Sequence, residues 1–394
     1  MLPPSLRHLE VPSDMLGPEL ADSCPALENL VLRDPFRLCT LPIDRWRHLR
    51  LLSGPCGVGQ EALEKLAMSN TIQQLDINII CPPIADELQV PSVSRSRLAF
   101  LEVLKLHSWT FEQSIKAMHI LFDLTTSAPL PRIKEFGLEV NADQLLIVNS
   151  LALPSLVADS FMEEHDNSPE LAPFMTFFAA HFSTEVLTCF SMSNSDNTLS
   201  GSSAWLYDTV RPLCAFTRLT HVTLHIRPTL KDRCALRGPH ILALASDWPL
   251  LEYLDIGPLL EPVLLQELIA LLEHCPRLVS PWLSVLVRSA DTLELARSIE
   301  DLRSRAGVDR LLLEHDGPQA GDVNLTACVL RAIVPDLKEV HTHASDQLDF
   351  WRGTLEKMDA GRDGASRATR VVDMNASLCG HSDDLSQDFS RHIL

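Results

Sequence analysis

The sequence predicts an α/β solenoid in which a curved parallel sheet lines the concave side and helices cover the convex side. Three observations predict this fold: a recurring apolar-x-x-apolar-x-apolar pattern, amphipathic stretches between its copies, and a proline two residues ahead of the first apolar position. Six prolines share that placement: Pro4, Pro25, Pro131, Pro249, Pro276 and Pro335. At 394 residues the chain is longer than one compact core, which favours a repetitive architecture.

The apolar pattern gives the extent of the repeats. Its copies begin at Leu6, Leu27, Trp46, Ile72, Leu101, Ile133, Leu187, Leu219, Leu251, Val308 and, more weakly, Leu337. Two degenerate copies begin at Leu278 and at either Leu153 or Leu156. Clean neighbouring copies start between 19 residues (27 to 46) and 32 residues (101 to 133) apart, close to the period of leucine-rich repeats. We therefore predict a leucine-rich-repeat solenoid of about 12–13 irregular repeats over residues 1–343.

Each copy is predicted to supply one strand and one helix. The alternation at the end of the pattern puts Leu30 and Leu32 on the same side of a strand. Residues 261–275 carry an apolar stripe at helical spacing, and further helices are predicted to open on Thr110 and on Asp291, with Asp291 as an N-cap. The prolines end these helices because proline disfavours helical angles in the residue before it. A single strand and helix cannot bury their own apolar side, so the copies stack.

The end of the chain changes character after the last copy. Residues 344–360 are predicted to form one closing helix with Leu348, Trp351 and Leu355 on its apolar face. Residues 361–394 are polar, and we expect them to be a disordered tail.

Charge and cysteine content exclude several classes of function. The formal net charge of −19 argues against nucleic-acid binding and against docking on anionic lipid. The ten cysteines include no C-x-x-C pair, so reduced thiols in a cytoplasmic or nuclear protein are predicted rather than a zinc or redox site. The N-terminus has no apolar segment of the kind that secretory signals carry.

No motif predicts catalysis, a cofactor or a metal site, so the chain is not expected to be an enzyme. Residues 54–59, GPCGVG, resemble a phosphate-binding loop but lack the following Lys-Ser/Thr, and we interpret them as a turn into a helix at residues 61–68. His341 and His343 are two ligands at most, too few for a metal.

A protein partner is predicted to bind the concave face, where strand residues between the apolar positions project. The predicted contact residues are Arg7, His8, Arg47, His48, Arg50, Gln74, Lys105, His107, His221, Tyr253 and Asp255. The first five form a local basic ridge on an acidic chain, suited to an acidic or phosphorylated segment or else an ordinary solvated surface. Tyr253 is the aromatic hot-spot candidate, and the alternative is a tyrosine packed against neighbouring strands.

Residues 16–32, LGPELADSCPALENLVL, carry a resemblance to a known family. A helix followed by Cys-Pro-x-Leu-x-x-Leu-x-Leu resembles the cysteine-containing leucine-rich repeats of F-box proteins, and residues 268–278 match the first half of that segment. The irregular spacing is similar to F-box-type proteins of filamentous fungi. The resemblance covers residues 1–343 at the level of fold and implies the substrate-receptor part of an SCF-type ubiquitin ligase.

One departure limits what this resemblance implies. The helical F-box segment is absent, because residues 1–11 already read as a strand of a repeat, so we expect either a truncated product or a relative that lost this module. A Skp-type adaptor is therefore expected as a partner only if an F-box lies upstream of Met1. The alternative is an adaptor-independent leucine-rich-repeat scaffold without a role in ubiquitination.

Overall fold

The computed structural model describes residues 3–12, 15, 18–33, 43–79, 98–108, 110–122, 132–140, 171–194, 207–226, 236–257, 259, 261–297, 307–316, 322–343, 345–360 and 370–374. Contacts between residues divide the chain into two units, Met1–Ala235 (unit 1) and Leu236–Leu394 (unit 2).

Unit 1 is a parallel sheet whose described strands follow chain order, each hydrogen-bonded to the next. The strands are β1 (His8–Val11), β2 (Asn29–Leu32), β3 (Leu51–Val58), β4 (Gln74–Ile79), β5 (Val103–Ser108), β6 (Glu135–Val140), β7 (Cys189–Asn194) and β8 (His221–Ile226). The α-helices between them are α1 (Pro18–Ser23), α2 (Gln60–Ala67), α3 (Phe111–Leu121), α4 (Leu171–His181) and α5 (Tyr207–Val210). Short 3-10 turns cover Ile43–Arg45 and Arg211–Ala215.

Unit 2 repeats this strand and helix alternation, but its described strands form two separate ladders. Its strands are β9 (Tyr253–Asp255), β10 (Val263–Leu264), β11 (Ser280–Trp282), β12 (Ser284–Val287), β13 (Arg310–His315), β14 (Glu339–Thr342) and β15 (Arg370–Asp373). Its helices are α6 (Gly238–Ser246), α7 (Leu265–His274), α8 (Ser289–Arg297), α9 (Asp322–Ile333) and α10 (Leu348–Asp359), with a 3-10 turn at Ser345–Gln347. All described pairings are parallel: β11 pairs with β9, while β10, β12, β13, β14 and β15 follow one another.

The apolar pattern forms the core of both units. Leu27, Leu30 and Leu32 are 0–1% exposed, and their counterparts in the later strands are buried in the same way. Parallel strands that are mostly separated by helices and backed by a ladder of buried leucines are the arrangement of a leucine-rich-repeat protein. The predicted fold class is therefore confirmed.

A tight turn places the first leucine of the repeats that begin at Leu27 and Leu278. The N–H of Leu27 donates to the carbonyl oxygen of Cys24 at 3.2 Å, and the N–H of Leu278 donates to that of Cys275 at 3.1 Å. Proline follows each cysteine, at the second turn position, where its fixed φ suits the turn. Cys24 and Cys275 are 0% and 1% exposed. In each Cys-Pro pair the cysteine is therefore a small core residue, and the proline ends the helix.

The copy predicted at Trp46 begins three residues later than expected. Trp46 occupies the turn position of Cys24, since the N–H of Leu49 donates to its carbonyl oxygen at 3.3 Å. Leu52, at 1% exposed, pairs in register with Leu30. The third leucine is replaced by Gly54, whose φ is +155° and where a Cβ would lie 2.5 Å from the carbonyl oxygen of Leu32. Because β2 leaves no room for a side chain at this position, a glycine stands where the pattern expects a leucine, and the pattern misplaces the repeat.

The prediction for residues 54–58 is also wrong. They were predicted to be a turn, but they continue β3, with a shift in register between Gly54 and Gly57 that absorbs the irregular glycines. α2 then begins at Gln60. The copy predicted at Leu153 or Leu156 lies outside the described residues.

One of the predicted helix starts is confirmed, and two are wrong. The hydroxyl of Thr110 accepts the N–H of Gln113 at 3.1 Å, as an N-cap does, and confirms the start of α3. Asp291 is not an N-cap, because α8 already begins at Ser289. The helix expected over residues 261–275 starts only at Leu265, after the short strand β10.

The C-terminal region contains more structure than expected. α10 covers Leu348–Asp359, with Trp351 and Leu355 buried. Within the expected disordered tail, Arg370–Asp373 form β15 because Val371 and Val372 extend the parallel ladder of β14. The division at residues 343 and 360 stays a prediction.

Candidate functional site

We call the side of the sheet that faces away from the buried leucines the open face. In β5, Leu104 and Leu106 are buried while Lys105 and His107 are half-buried on the opposite side. Because parallel strands in register align alternate residues, the side chains of neighbouring strands form rows across this face. The open face is the surface on which the predicted contact residues of the strands lie.

The centre of the open face in unit 1 is an acid–base cluster, Asp76, His107 and Glu139. The Nε2 atom of His107 lies 2.9 Å from Oδ1 of Asp76, and its Nδ1 atom lies 3.0 Å from Oε2 of Glu139. Burial alone would lower the pKa of His107, but hydrogen bonds and charges from both carboxylates raise it to about 10. His107 is therefore an imidazolium at neutral pH, and it lowers the pKa of Asp76 despite the opposing effect of burial.

Neighbouring side chains are also paired. Nζ of Lys105 lies 2.9 Å from Oε1 of Glu135. The hydroxyl of Ser53 donates to Oδ2 of Asp76 at 3.2 Å rather than to His107. A Ser-His-acid catalytic arrangement requires the serine to hydrogen-bond the histidine, so this geometry does not provide one.

Cys189, beside Lys105 and Glu135, is not an activated nucleophile. Burial, followed by the charge of Glu135, raises the pKa of its thiol to about 12. Because the thiolate is the reactive form, this cysteine is a poor nucleophile at neutral pH.

In unit 2, Tyr253 and Asp255 of β9 interact with each other. The Tyr253 hydroxyl donates to Oδ2 of Asp255 at 3.1 Å, and the N–H of Gly257 donates to Oδ1 of Asp255 at 3.3 Å. Asp255 is only 4% exposed, so the prediction that it projects toward a partner is wrong. Its carboxylate is occupied in orienting Tyr253 and the turn after β9. Burial and then Asp255 raise the pKa of Tyr253, which stays a neutral phenol.

The open face of unit 2 carries a patch that we call the Trp282 patch: Tyr253, Trp282, Arg310, Glu339, His341 and Arg370. The rings of Trp282 and His341 meet edge to face with centroids 4.5 Å apart. Glu339, with its side chain 8% exposed, lies 3.2 Å from Nε of Arg310 and also pairs with Arg370. His341 lies 3.6 Å from Glu339, and burial lowers its pKa.

The predicted basic ridge is divided between strand starts and a turn. Arg7 and Arg50 flank Glu28 on successive repeats, and Nη1 of Arg7 lies 3.3 Å from Glu28. Arg47 and His48 occupy the turn that precedes Leu49, so they do not project from a strand as expected. The three arginines and His48 are exposed, as is His8 at the start of β1.

The other predicted residues are spread along the sheet. Gln74 is exposed at the start of β4, and Nδ1 of His221, at the start of β8, lies 2.9 Å from the Thr220 hydroxyl. The strands therefore bring Lys105 and His107 together with the acidic residues, but not with the basic ridge. Sequence reasoning did not single out Trp282 or Arg370, which the structure places beside His341 and Glu339. The only available signal for Arg370 was the valine pair that follows it.

The part of the chain that the structure describes contains no group of three or more His, Cys, Asp and Glu side chains able to hold a metal ion. Cys24, Cys189, Cys275 and Cys328 are free thiols. None of the described helices has the length and apolar character needed to cross a membrane.

Comparisons with known proteins give fold-level likenesses only. No family model matches the chain, and no curated protein matches it. Among solved structures, the leucine-rich-repeat-containing protein LegL7 from Legionella pneumophila is similar at 10% identity and a TM-score of 0.34, over 91% of this chain and 99% of that one. An internalin (inlF) from Listeria monocytogenes is similar at 11% identity and a TM-score of 0.29, over 88% of this chain and 89% of that one. At such low TM-scores, the leucine-rich-repeat fold of this chain rests on its own repeats and strand order.

Proposed function

We propose that this protein is a recognition module that binds another protein on the open face of its repeats. The observation that carries the proposal is the Trp282 patch, where Trp282 and Tyr253 lie half-buried beside the exposed side chain of Arg310. Trp, Tyr and Arg are the residues that most often dominate binding energy at protein interfaces. They lie on strands, whose positions are fixed by the ladder and the buried leucines beneath.

The charges of this patch suit an acidic partner segment. Glu339 compensates part of the charge of Arg310 and Arg370, but it is buried, whereas the side chains of the arginines are 50% and 73% exposed. A carboxylate or phosphate could therefore reach the guanidinium groups, which bind such groups with two hydrogen bonds. Trp282 would supply the apolar contact beside them.

The remaining predicted residues of unit 1 form a second proposed contact surface. Lys105 and His107 belong to a row of fixed charges that would select a partner by complementarity. Arg7, Arg47 and Arg50 offer exposed cations for an acidic or phosphorylated segment, and His8 and His48 lie exposed beside them. Gln74 and His221 would contribute polar contacts.

The test compares proteins captured from cells by tagged variants of the full chain. Trp282→Ala and Arg310→Glu alter the patch, and Arg297→Glu changes an exposed charge at the end of α8 as the control. We expect at least one captured protein to bind wild type and Arg297→Glu equally, and both patch variants about tenfold or more weakly. Identical binding to all four folded proteins would contradict the proposal.

As a narrower candidate we propose the substrate-receptor part of an F-box-type ubiquitin ligase. Its support is the resemblance of residues 16–32 to the Cys-Pro-containing repeats of that family. Co-purification of the full-length gene product with a Skp-type adaptor is the expected result. Absence of the adaptor from that product would favour the alternative, an adaptor-independent scaffold that binds its partner on the same face.

A further inference from the structure

The outer edge of β14 is occupied by β15, a strand from the C-terminal region. The two strands pair in parallel, Glu339 with Arg370, Val340 with Val371, His341 with Val372 and Thr342 with Asp373. The N–H of Arg370 donates to the carbonyl oxygen of Lys338 at 2.9 Å. The unpaired N–H and C=O groups of a sheet edge are a template for another strand, and here β15 satisfies them.

The ion pair between the two strands fixes both register and sequence preference. Glu339 is a carboxylate whose side chain is 8% exposed, and a buried charge needs partners. Arg310 of β13 supplies one guanidinium and Arg370 of β15 supplies the other. A strand on this edge without a cation at that position would leave Glu339 with one partner fewer. A shift by one residue would turn the arginine to the other face of the sheet.

β15 is packed into the protein less firmly than β14. All four residues of β14 are buried, whereas Arg370 is exposed and Val371, Val372 and Asp373 are half-buried. β15 therefore covers the edge with little buried apolar surface, and the ladder, the Arg370–Glu339 pair and contacts with α10 hold it there. Such a strand can be replaced by another one that repeats the ladder and the ion pair.

We propose that the edge of β14 is a peptide-docking site that accepts an extended segment with arginine followed by two β-branched residues, and that β15 fills this site from within the chain. The arginine of the incoming segment would pair with Glu339, while its backbone would take over the ladder of β15. Since β15 is tethered, it acts as an intramolecular competitor of any such segment. Glu339 and Arg370 also belong to the Trp282 patch, but the incoming segment would pair with the backbone edge of β14, so this proposal does not depend on a partner bound to the open face.

The test uses the full chain and a fluorescent peptide of residues 366–376, SRATRVVDMNA, with binding measured by anisotropy. Arg370→Glu in the protein should release β15 and increase the affinity for the peptide about tenfold or more over wild type. Arg352→Glu, which changes an exposed charge on α10, should leave the affinity at the wild-type value. A peptide with glutamate in place of its second arginine, which corresponds to Arg370, should bind no variant.

Three results would overturn the proposal. The first is a folded Arg370→Glu variant that binds the peptide no better than wild type does, and the second is equal binding of the glutamate peptide. The third is concentration-dependent dimerisation of that variant without peptide binding, seen by sedimentation velocity, which would assign the edge to a second copy of the chain.

The wild-type chain provides an independent measurement if Arg370→Glu does not fold. Excess peptide should speed hydrogen exchange at Val371 and Val372 of β15 while Val340 of β14 stays protected. Unchanged exchange at β15 under saturating peptide would overturn the proposal.

Discussion

His107 shows how the strand stack gives a single side chain its charge. β4, β5 and β6 hold Asp76, His107 and Glu139 on one face, so the imidazole lies within 3.0 Å of a carboxylate at each nitrogen. Both contacts stabilise the protonated form and raise the pKa of His107 to about 10, from an ordinary value near 6.5. Because the folded protein binds this proton more tightly than the unfolded chain, His107 contributes stability that falls as pH rises.

We therefore predict a pH-dependent effect of His107→Gln. This contribution is fully present below the unfolded pKa, near 6.5, and is lost as pH rises toward the folded pKa of about 10. Urea unfolding at several pH values should show wild type more stable than the variant at pH about 6, with a difference that shrinks steadily to pH about 10. Gln74→Ala, at an exposed site that does not titrate, is the control, and its effect should not vary with pH. A constant difference for His107→Gln would contradict the assigned ion pairs.

The sequence predicts which face a residue occupies better than it predicts that residue's partner. Strand alternation correctly places Lys105 and His107 on the open face. The contact of His107 with Asp76 and Glu139 depends on pairing across 31 and 32 residues, which no local pattern encodes. Asp255 was misjudged for a similar reason, because its burial follows from the hydroxyl of Tyr253 and the N–H of Gly257.

At the scale of elements, local chemistry decides where helices begin and end. Proline at the second position of the turn after α1 and α7 stops each helix and directs the chain to the first buried leucine. These signals lie within a few residues of their effect, so the sequence predicts them. β15 was missed because its stability depends on the distant edge of β14, and the copy at Trp46 was displaced because Gly54 replaces the expected leucine.

The N-cap of α3 allows a quantitative prediction. Replacing Thr110 by alanine removes the oxygen that accepts the N–H of Gln113 and should lower the free energy of unfolding by about 1 kcal/mol. Thr110→Ser keeps a hydroxyl and should retain most of that stability. Urea unfolding and hydrogen exchange at the first turn of α3 measure both effects. Equal losses in the two variants would show that the methyl group, rather than the cap, matters.

At the scale of the whole molecule, stability is expected to be built from contacts between adjacent repeats within each unit. Repeats that touch only their neighbours transmit a local defect over a short distance. Within the described part of unit 1, a connected set of phenylalanine rings packs together: Phe111, Phe136, Phe174, Phe178, Phe182, Phe190 and Phe216. Phe178 of α4 is central to it, stacking on Phe182 with centroids 4.1 Å apart and contacting Phe136 and Phe190 at 4.8 Å and 5.0 Å.

Phe178→Ala should therefore destabilise unit 1 strongly and locally. The side chain is fully buried, and removal of such a ring costs about 3–5 kcal/mol, because apolar contacts are lost and a cavity remains. Hydrogen exchange should accelerate most in β6, β7 and β8, next to the cavity, and least in β1 and β2. Phe177→Ala is the matched control, since this neighbour on α4 is half-buried and should lose only about 1 kcal/mol. Uniform loss of protection from β1 to β8 would instead indicate that unit 1 unfolds as one cooperative block.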